Sequence, residues 1–385
     1  MTRKRVLILG GGPGGVVAAN NIIRRLRGDD VEVTLVDKTG YHVFQPSQLW
    51  VMTGQREPDD IRRPLRLLER KGVKIVVDEV KAIRPENHVV NTNTGELPYD
   101  YLIVALGSVP EVSKIPGYEY SVCTPWTIEG ALKCRKLLAS FKKGSIVVAP
   151  LSWPYKCPPA PFEAAFMAKY LLEQRGAVEG SNVTVLHFWK EPMEPFGPSM
   201  ASAFKKFMDM YGISFIGGVE VEGFEDRHVV TKRGERIEYN LAIAVPPHSP
   251  PEPVANSELG DPSIGGYMKV DRRTLRSPKY DNVYGVGDVI APSLGIGMAG
   301  VFAHFQAEYV SSRIVDEIKG AYMGEHYNMS GVCVMDMGYL GAAVYCDFTR
   351  RIMSGEYPDC VILGGMKAFR AVKYAFERYW LDKWF

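Results

Sequence analysis

Six cysteines are scattered along the 385 residues, and one of them sits where a strand-to-helix loop ordinarily holds a phosphate. The stretch WPYKCPPAPFEAA, residues 153–165, follows a β-branched run at 146–148 and leads into a helical pattern. Cys157 lies there among Pro150, Pro154, Pro158, Pro159 and Pro161. Prolines remove N–H donors and stiffen the chain, so this loop is a poor phosphate cradle. A thiol just ahead of a helix start, with Lys156 beside it, is placed for a lowered pKa and hence for thiolate chemistry. Glu163, in the first helical turn, is the nearest candidate base. A first-turn acid equally well complements the helix dipole, and the sequence leaves both roles open. No two cysteines have C-x-x-C spacing, which argues against a zinc site, an iron–sulfur cluster and a thioredoxin-like dithiol. No metal is expected. Cys134, Cys346 and Cys360 read as inert buried thiols.

A second signature opens the chain. Strand 5–9, helix 14–26 and strand 31–37 form a βαβ unit, with Gly10-Gly11-Gly12-Pro13-Gly14-Gly15 between strand and helix. In this G-x-G-x-x-G, Gly10 permits the tight turn, Gly12 lets the backbone approach a pyrophosphate, and Gly15 lets helix pack on strand. Asp37 closes the second strand, where an acid takes a ribose hydroxyl pair. Later, YDNVYGVGDVI places Gly287 and Asp288 at a strand C-terminus, ahead of a glycine-rich segment and a helix from about 303 to 318. That end of a strand is the usual ligand position in an open α/β sheet.

The chain also repeats itself. HVVNTNTGELPYDYLIVALGSVP from His88 and HVVTKRGERIEYNLAIAVPPHSP from His228 share a strand, a Gly-Glu turn, a tyrosine and an apolar strand. Two homologous α/β domains follow, both Rossmann-like dinucleotide-binding folds. The second is inserted into the first and starts from the strand at 146–148, a helix from 162 to about 174 and a strand at 183–188. The expected organisation is residues 1–113 and 266–320 for the first domain and 114–265 for the second. A C-terminal amphipathic helical region, 321–385, completes the chain.

A formal charge of +2 gives no electrostatic case for nucleic acid. The N-terminal apolar run, 6–9, is too short for an export signal, and no run approaches the roughly 18 apolar residues of a membrane span. In GGMKAFRAVKYAFERYWLDKWF, Met366, Phe369, Val372, Phe376, Tyr379 and Trp380 fall at helical spacing among an excess of basic residues. A basic, aromatic amphipathic helix suits a membrane interface; docking on the protein's own core or on a second subunit is the alternative.

VLILGGGPGG, YDYLIVALGSVP and VYGVGDV, in that order, resemble the fingerprints of two-domain flavoproteins of the glutathione-reductase type. The resemblance implies FAD held by Gly10, Gly12, Gly15, Asp37, Pro46, Gly107, Gly287 and Asp288. The C-x4-C pair of soluble disulfide reductases is missing from YHVFQPSQLWVMTG, and the second domain lacks a glycine fingerprint for NAD(P)H. What remains resembles the sulfide:quinone oxidoreductase family. Lys156-Cys157-Pro158 is similar to the segment around one redox cysteine, GVCVMDMGYLGAA with Cys333 to that around its partner, and SVCTPWTIEGA with Cys123 to the site of a third. The third is used in some members for sulfur handling or for a covalent link to FAD. The resemblance implies sulfide oxidation to polysulfide or sulfur through a Cys157–Cys333 pair, with electrons passed through FAD to a membrane quinone. It implies a peripheral, monotopic membrane protein, on the cytoplasmic face and with homo-oligomers open. Tyr339, Phe369 and Tyr374 are the candidate quinone contacts. The segment 293–300 carries no lysine, so the charge of a reduced flavin falls to backbone N–H groups near Gly297–Gly300 or to a lysine from elsewhere. Rival readings are a type II NADH:quinone oxidoreductase, the flavoprotein of a flavocytochrome c sulfide dehydrogenase, and a flavin-binding interaction protein without turnover.

Overall fold

The computed structural model describes residues 3–26, 31–119, 121–321, 327 and 329–385. Its elements, in chain order, are β1 (Lys4–Leu9), α1 (Pro13–Arg25), β2 (Val31–Asp37), β3 (Tyr41–Val43), β4 (Lys74–Val77), β5 (Tyr101–Val104), β6 (Val122–Cys123), α2 (Ile128–Ser140), β7 (Gly144–Pro150) and α3 (Ala160–Gln174). There follow β8 (Ser181–His187), β9 (Ile213–Gly217), β10 (Leu241–Val245), β11 (Val283–Gly285), α4 (Gly300–Lys319), β12 (Ser330–Asp336), β13 (Gly341–Asp347), β14 (Asp359–Met366) and α5 (Lys367–Lys383); short strands and turns outside this numbering are given by residue.

Two parallel five-stranded sheets carry the molecule. One has the order β11-β5-β1-β2-β4, the other β6-β10-β7-β8-β9. The inner stretches of their central strands, such as Val6–Leu9 and Ile146–Ala149, are apolar and buried on both faces, as parallel strands covered by helices must be. Each sheet also carries a three-stranded antiparallel excursion, at Val80–Arg84, Val89–Thr92 and Glu96–Pro98 and again at Val221–Glu225, His228–Thr231 and Arg236–Glu238. The repeated tyrosines, Tyr99 and Tyr239, are both buried beneath these excursions. A short antiparallel ribbon, Val109↔Ser249 and Pro110↔His248, ties the two chain crossings between the sheets together.

The C-terminal region departs from the expectation of helices alone. β12, β13 and β14 form an antiparallel sheet ahead of α5. Its alternation is weak because both faces carry apolar side chains. Val332, Tyr345 and Val361 lie opposite one another in register, all exposed, while Cys333 and Val344 turn the other way. Among the described residues no helix is long and apolar enough to cross a membrane.

Four of the six cysteines are paired as disulfides, Cys123–Cys134 and Cys346–Cys360. Reading Cys134, Cys346 and Cys360 as inert free thiols is therefore corrected. Each bond joins neighbouring elements, β6 to α2 and β13 to β14, contacts that local sequence does not announce.

Candidate functional site

A cleft of about 760 Å³ runs along the C-terminal ends of the first sheet, lined by Gly10–Gly14, Asp37, Gly107, Lys156, Gly287 and Asp288 among others. Its shape follows from the glycine loop. Gly10 has φ +103°, and a Cβ there would strike the Ala105 carbonyl oxygen at 2.4 Å, so only glycine fits. A Cβ on Gly12 would meet nothing within 4 Å, which leaves the backbone open to the cleft. α1 begins at Pro13 with no side-chain cap and no acid in its first turn, an arrangement suited to an anion. Asp37 Oδ1 accepts from the Thr39 N–H (2.8 Å), its hydroxyl (2.7 Å) and the Gly40 N–H (3.1 Å), while Oδ2 accepts only the Gly11 N–H, at 2.9 Å. Oδ2 keeps a lone pair for a ribose hydroxyl. These residues fit a dinucleotide such as FAD.

Other expected contacts lie elsewhere. Gly15 does not line the cleft; a Cβ there would fall 1.9 Å from the Gly10 carbonyl oxygen, so it serves helix-to-strand packing. Pro46 is exposed and outside the lining, whereas its neighbour Gln45 belongs to it. The sequence reading missed Asp78, at the far end of the cleft. Its carboxylate accepts from the Thr94 hydroxyl and N–H and from Asn93, and these hydrogen bonds hold its pKa well below the usual carboxylate range.

Asp288 is half-buried, 3.7 Å from Lys156 Nζ and 3.4 Å from the Ser108 hydroxyl. Burial raises its pKa, and Lys156 opposes the rise. Lys156 is thus a lysine from elsewhere that reaches the cleft. It turns away from its neighbour Cys157 to do so, which corrects the reading of Lys156 as the group that makes Cys157 a thiolate.

Cys157 and Cys333 are the two free cysteines, and their sulfurs lie in hydrogen-bonding contact. Cys157 has φ +60°, a strained conformation for a residue with a side chain. It is pinned by its own N–H to the Met298 carbonyl at 2.6 Å and by the Ala160 N–H to its carbonyl at 2.8 Å. The hydrogen bond within the pair raises the pKa of Cys157, reinforced by burial, and lowers that of Cys333. Of the two, Cys333 is the more readily deprotonated. Cys123 is not brought to this pair. It is fully buried on β6 and bonded to Cys134, which corrects its reading as a third free cysteine.

Around the pair lies a buried charged network that the sequence did not reveal. Glu163 accepts from the Asp336 N–H at 2.9 Å and forms an ion pair with Lys373 of α5. Burial raises the Glu163 pKa against the pull of Lys373. Asp336 accepts the Trp50 indole N–H at 2.9 Å and pairs with Arg370 at 3.2 Å. Glu377 accepts from Arg56 at 2.9 Å and from the Ser47 hydroxyl at 2.5 Å. Each of the three buried acids is thereby paired with a base, as buried charges require, Lys373 buried and Arg56 and Arg370 half-buried. Lys373 and Glu377 are spaced i, i+4 on α5, the one local sign that its charges point inward.

None of the three candidate quinone contacts lines the glycine-loop cleft. Tyr374 stacks on Trp50 at 4.3 Å and donates its phenol proton to Gln55 at 2.7 Å. Tyr339 packs edge-on to Tyr170 and accepts from Gln174 at 3.0 Å. Phe369 is half-buried where α5 begins, against Gly341. Of the apolar residues expected on one face of α5, Trp380 turns inward, while Val372, Phe376 and Tyr379 stay 45%, 40% and 56% exposed.

In the second sheet, the place of a nucleotide is taken by side chains. Tyr155, fully buried, shares hydrogen bonds with His187 (3.1 Å) and the Pro158 carbonyl (3.1 Å), amid Phe162, Phe188 and Trp189.

Residues 4–148 match the pyridine nucleotide-disulphide oxidoreductase family. The chain is 28% identical over 402 residues to the sulfide-quinone reductase of Aquifex aeolicus, covering 99% of this chain and 91% of that protein. The crystal structure of the Aquifex aeolicus sulfide:quinone oxidoreductase superposes with a TM-score of 0.89 at 25% identity over 99% of this chain and 91% of that one. Over its whole length this chain is similar in sequence and fold to a sulfide:quinone oxidoreductase. The mouse mitochondrial sulfide:quinone oxidoreductase is 27% identical over 308 residues, 74% of this chain and 65% of that protein's length.

Proposed function

We propose that this chain binds FAD in the glycine-loop cleft and oxidises sulfide, passing the electrons to a membrane quinone. The observation that carries the reading is the contact between Cys157 and Cys333, which brings the start of α3 and the strand β12 together beside the cleft. In the disulfide form of the pair, HS⁻ attacks one sulfur, a new S–S bond forms there as a persulfide, and the other cysteine leaves as a thiolate. The lowered pKa of Cys333 suits it to be that thiolate. FAD, when bound, accepts the electron pair and passes it on to the quinone. A second HS⁻ attacking the outer persulfide sulfur forms a new S–S bond and breaks the bond to the cysteine, releasing HS–SH and a second cysteine thiolate. Re-forming the disulfide from the two thiolates yields the electron pair that FAD would take up.

Gly12 and the start of α1 hold the pyrophosphate, Asp37 the ribose, and Gly107, Gly287 and Asp288 the ribityl region. Lys156 supplies positive charge within the cleft. Glu163, the carboxylate paired with Lys373, lies beside the sulfurs as a candidate proton acceptor, and burial raises its pKa. The exposed apolar face of α5 contacts the membrane surface, and Phe369, Tyr374 and Tyr339 flank the quinone's approach. Steady-state quinone reduction with sulfide or NADH as donor tests the assignment. Sulfide-dependent reduction is expected. Rapid turnover with NADH and none with sulfide identifies a type II NADH:quinone oxidoreductase instead, and transfer to a cytochrome but not to quinone identifies a flavocytochrome partner.

A further inference from the structure

His42, on β3, is fully buried and stands between the glycine loop and the C-terminal helix. Its Nδ1 lies 2.9 Å from the Gly11 carbonyl oxygen and its Nε2 3.0 Å from the Trp380 indole nitrogen. A carbonyl only accepts, so Nδ1 carries the ring proton; an indole N–H only donates, so Nε2 is bare. The imidazole is therefore a single neutral tautomer with both nitrogens engaged. Burial lowers its pKa to about 4, against smaller opposing effects from the Gly11 hydrogen bond and Asp37. A proton added to Nε2 would set two N–H groups against each other.

Gly11 is fixed at both of its peptide units. Its N–H donates to Asp37 Oδ2 and its carbonyl accepts from His42. A peptide unit is planar and trans, so the Gly11 carbonyl and the Gly12 N–H point in opposite directions. Drawing the carbonyl inward to His42 directs the Gly12 N–H outward, at the residue where the backbone stands open to the cleft.

We propose that Trp380, His42 and Gly11 form a hydrogen-bonded relay through which the docked C-terminal helix presets the Gly12 N–H for a pyrophosphate. His42 and Trp380 are positioning residues; they act through Gly11 and touch no phosphate. The inference rests on the reading that the cleft takes FAD. By linkage it is reciprocal: a diphosphate in the cleft strengthens docking of α5 by the same factor that docking strengthens diphosphate binding. The helix that carries Lys373 to the sulfur pair is in this way tied to the loop that anchors the cofactor. Other contacts hold α5 without reaching the loop, including those from Asn20 and Lys71 to the Trp384 carbonyl, at 3.2 and 2.9 Å.

The test measures FAD affinity of the full-length protein by flavin fluorescence, with ADP as competitor, because ADP carries the pyrophosphate without the ring. Trp380→Phe keeps an aromatic ring and removes the donor; His42→Phe removes both hydrogen bonds. The relay predicts that Trp380→Phe weakens FAD and ADP alike by about fivefold, the worth of one hydrogen bond. His42→Phe should weaken them at least as much, and the double variant no further than His42→Phe alone. The absorption spectrum of bound FAD should be unchanged. Wild-type affinity for ADP in Trp380→Phe, or losses that simply add in the double variant, overturns the relay while the FAD reading stands. A wild-type protein that binds neither ligand overturns both. Nitrogen NMR of histidine-labelled wild-type protein provides a check without any substitution: His42 protonated on Nδ1 and bare on Nε2 is the expected signature, and a proton on Nε2 contradicts it.

Discussion

Cys157→Ser and Cys333→Ser should each reduce sulfide-driven flavin bleaching by at least a hundredfold in rapid mixing, because either change removes the disulfide that sulfide attacks. Cys123→Ser should behave differently. Its sulfur is bonded to Cys134 across a sequence separation of 11 residues, so bleaching persists while thermal unfolding shows a loss of about 3 kcal/mol. Glu163→Gln leaves Lys373 buried without its counter-charge and should cost about 3–5 kcal/mol in denaturant unfolding; Glu163→Gln with Lys373→Met should recover part of that loss. At this scale the sequence revealed the groups that sit in motifs, Cys157 beside its prolines and Asp37 at its strand end. It did not reveal Lys373, Asp336 or Arg370, because their partners lie far along the chain and nothing local distinguishes an inward-facing charge from a solvated one. The pKa order of the thiols was also hidden. It depends on which thiol donates to the other and on Lys156 turning to Asp288, both facts of three-dimensional packing.

The C-terminal helix is the element on which most of the account converges. Its inner face carries Lys373, Glu377 and Trp380, while Val372, Phe376 and Tyr379 face outward. The usual amphipathic order is partly inverted. Replacing those three outward residues with serine should weaken co-sedimentation with anionic vesicles about tenfold, with little change in melting temperature and none in bleaching by sulfide. Unchanged sedimentation would assign the face to something other than lipid. The amphipathic period of α5 was legible in the sequence, but which of its stripes turns inward was not. The sheet β12–β13–β14 was missed because glycines and alanines dilute its alternation and both faces are apolar. The two parallel sheets, by contrast, announced themselves through continuous apolar strands and the repeated hairpin-like excursion.

For the whole molecule, pH reports how much of the fold rests on buried neutral imidazoles. His42 is lowered to about 4, and His187 and His248 to about 3, all chiefly by burial. Between these values and the ordinary 6.5 the unfolded chain binds protons that the folded chain refuses. The stabilisation is complete above pH 6.5 and is lost as pH falls, by about 3 kcal/mol for His42 alone at pH 4. Melting temperature should drop steadily from pH 7 to pH 4, and less steeply in His42→Phe. The proposed entry point for electrons has a counterpart in the fold: the nucleotide position of the second sheet is packed with aromatic rings, and Cys157, next to Cys333, directly follows Lys156 of the cleft lining. The most direct test of that entry point is anaerobic rapid mixing of the FAD-loaded protein with sulfide, following flavin absorbance in the wild type and in Cys333→Ser. The account predicts rapid bleaching in the wild type, reversed by adding quinone, and none in the variant. Bleaching at the wild-type rate in Cys333→Ser would contradict it.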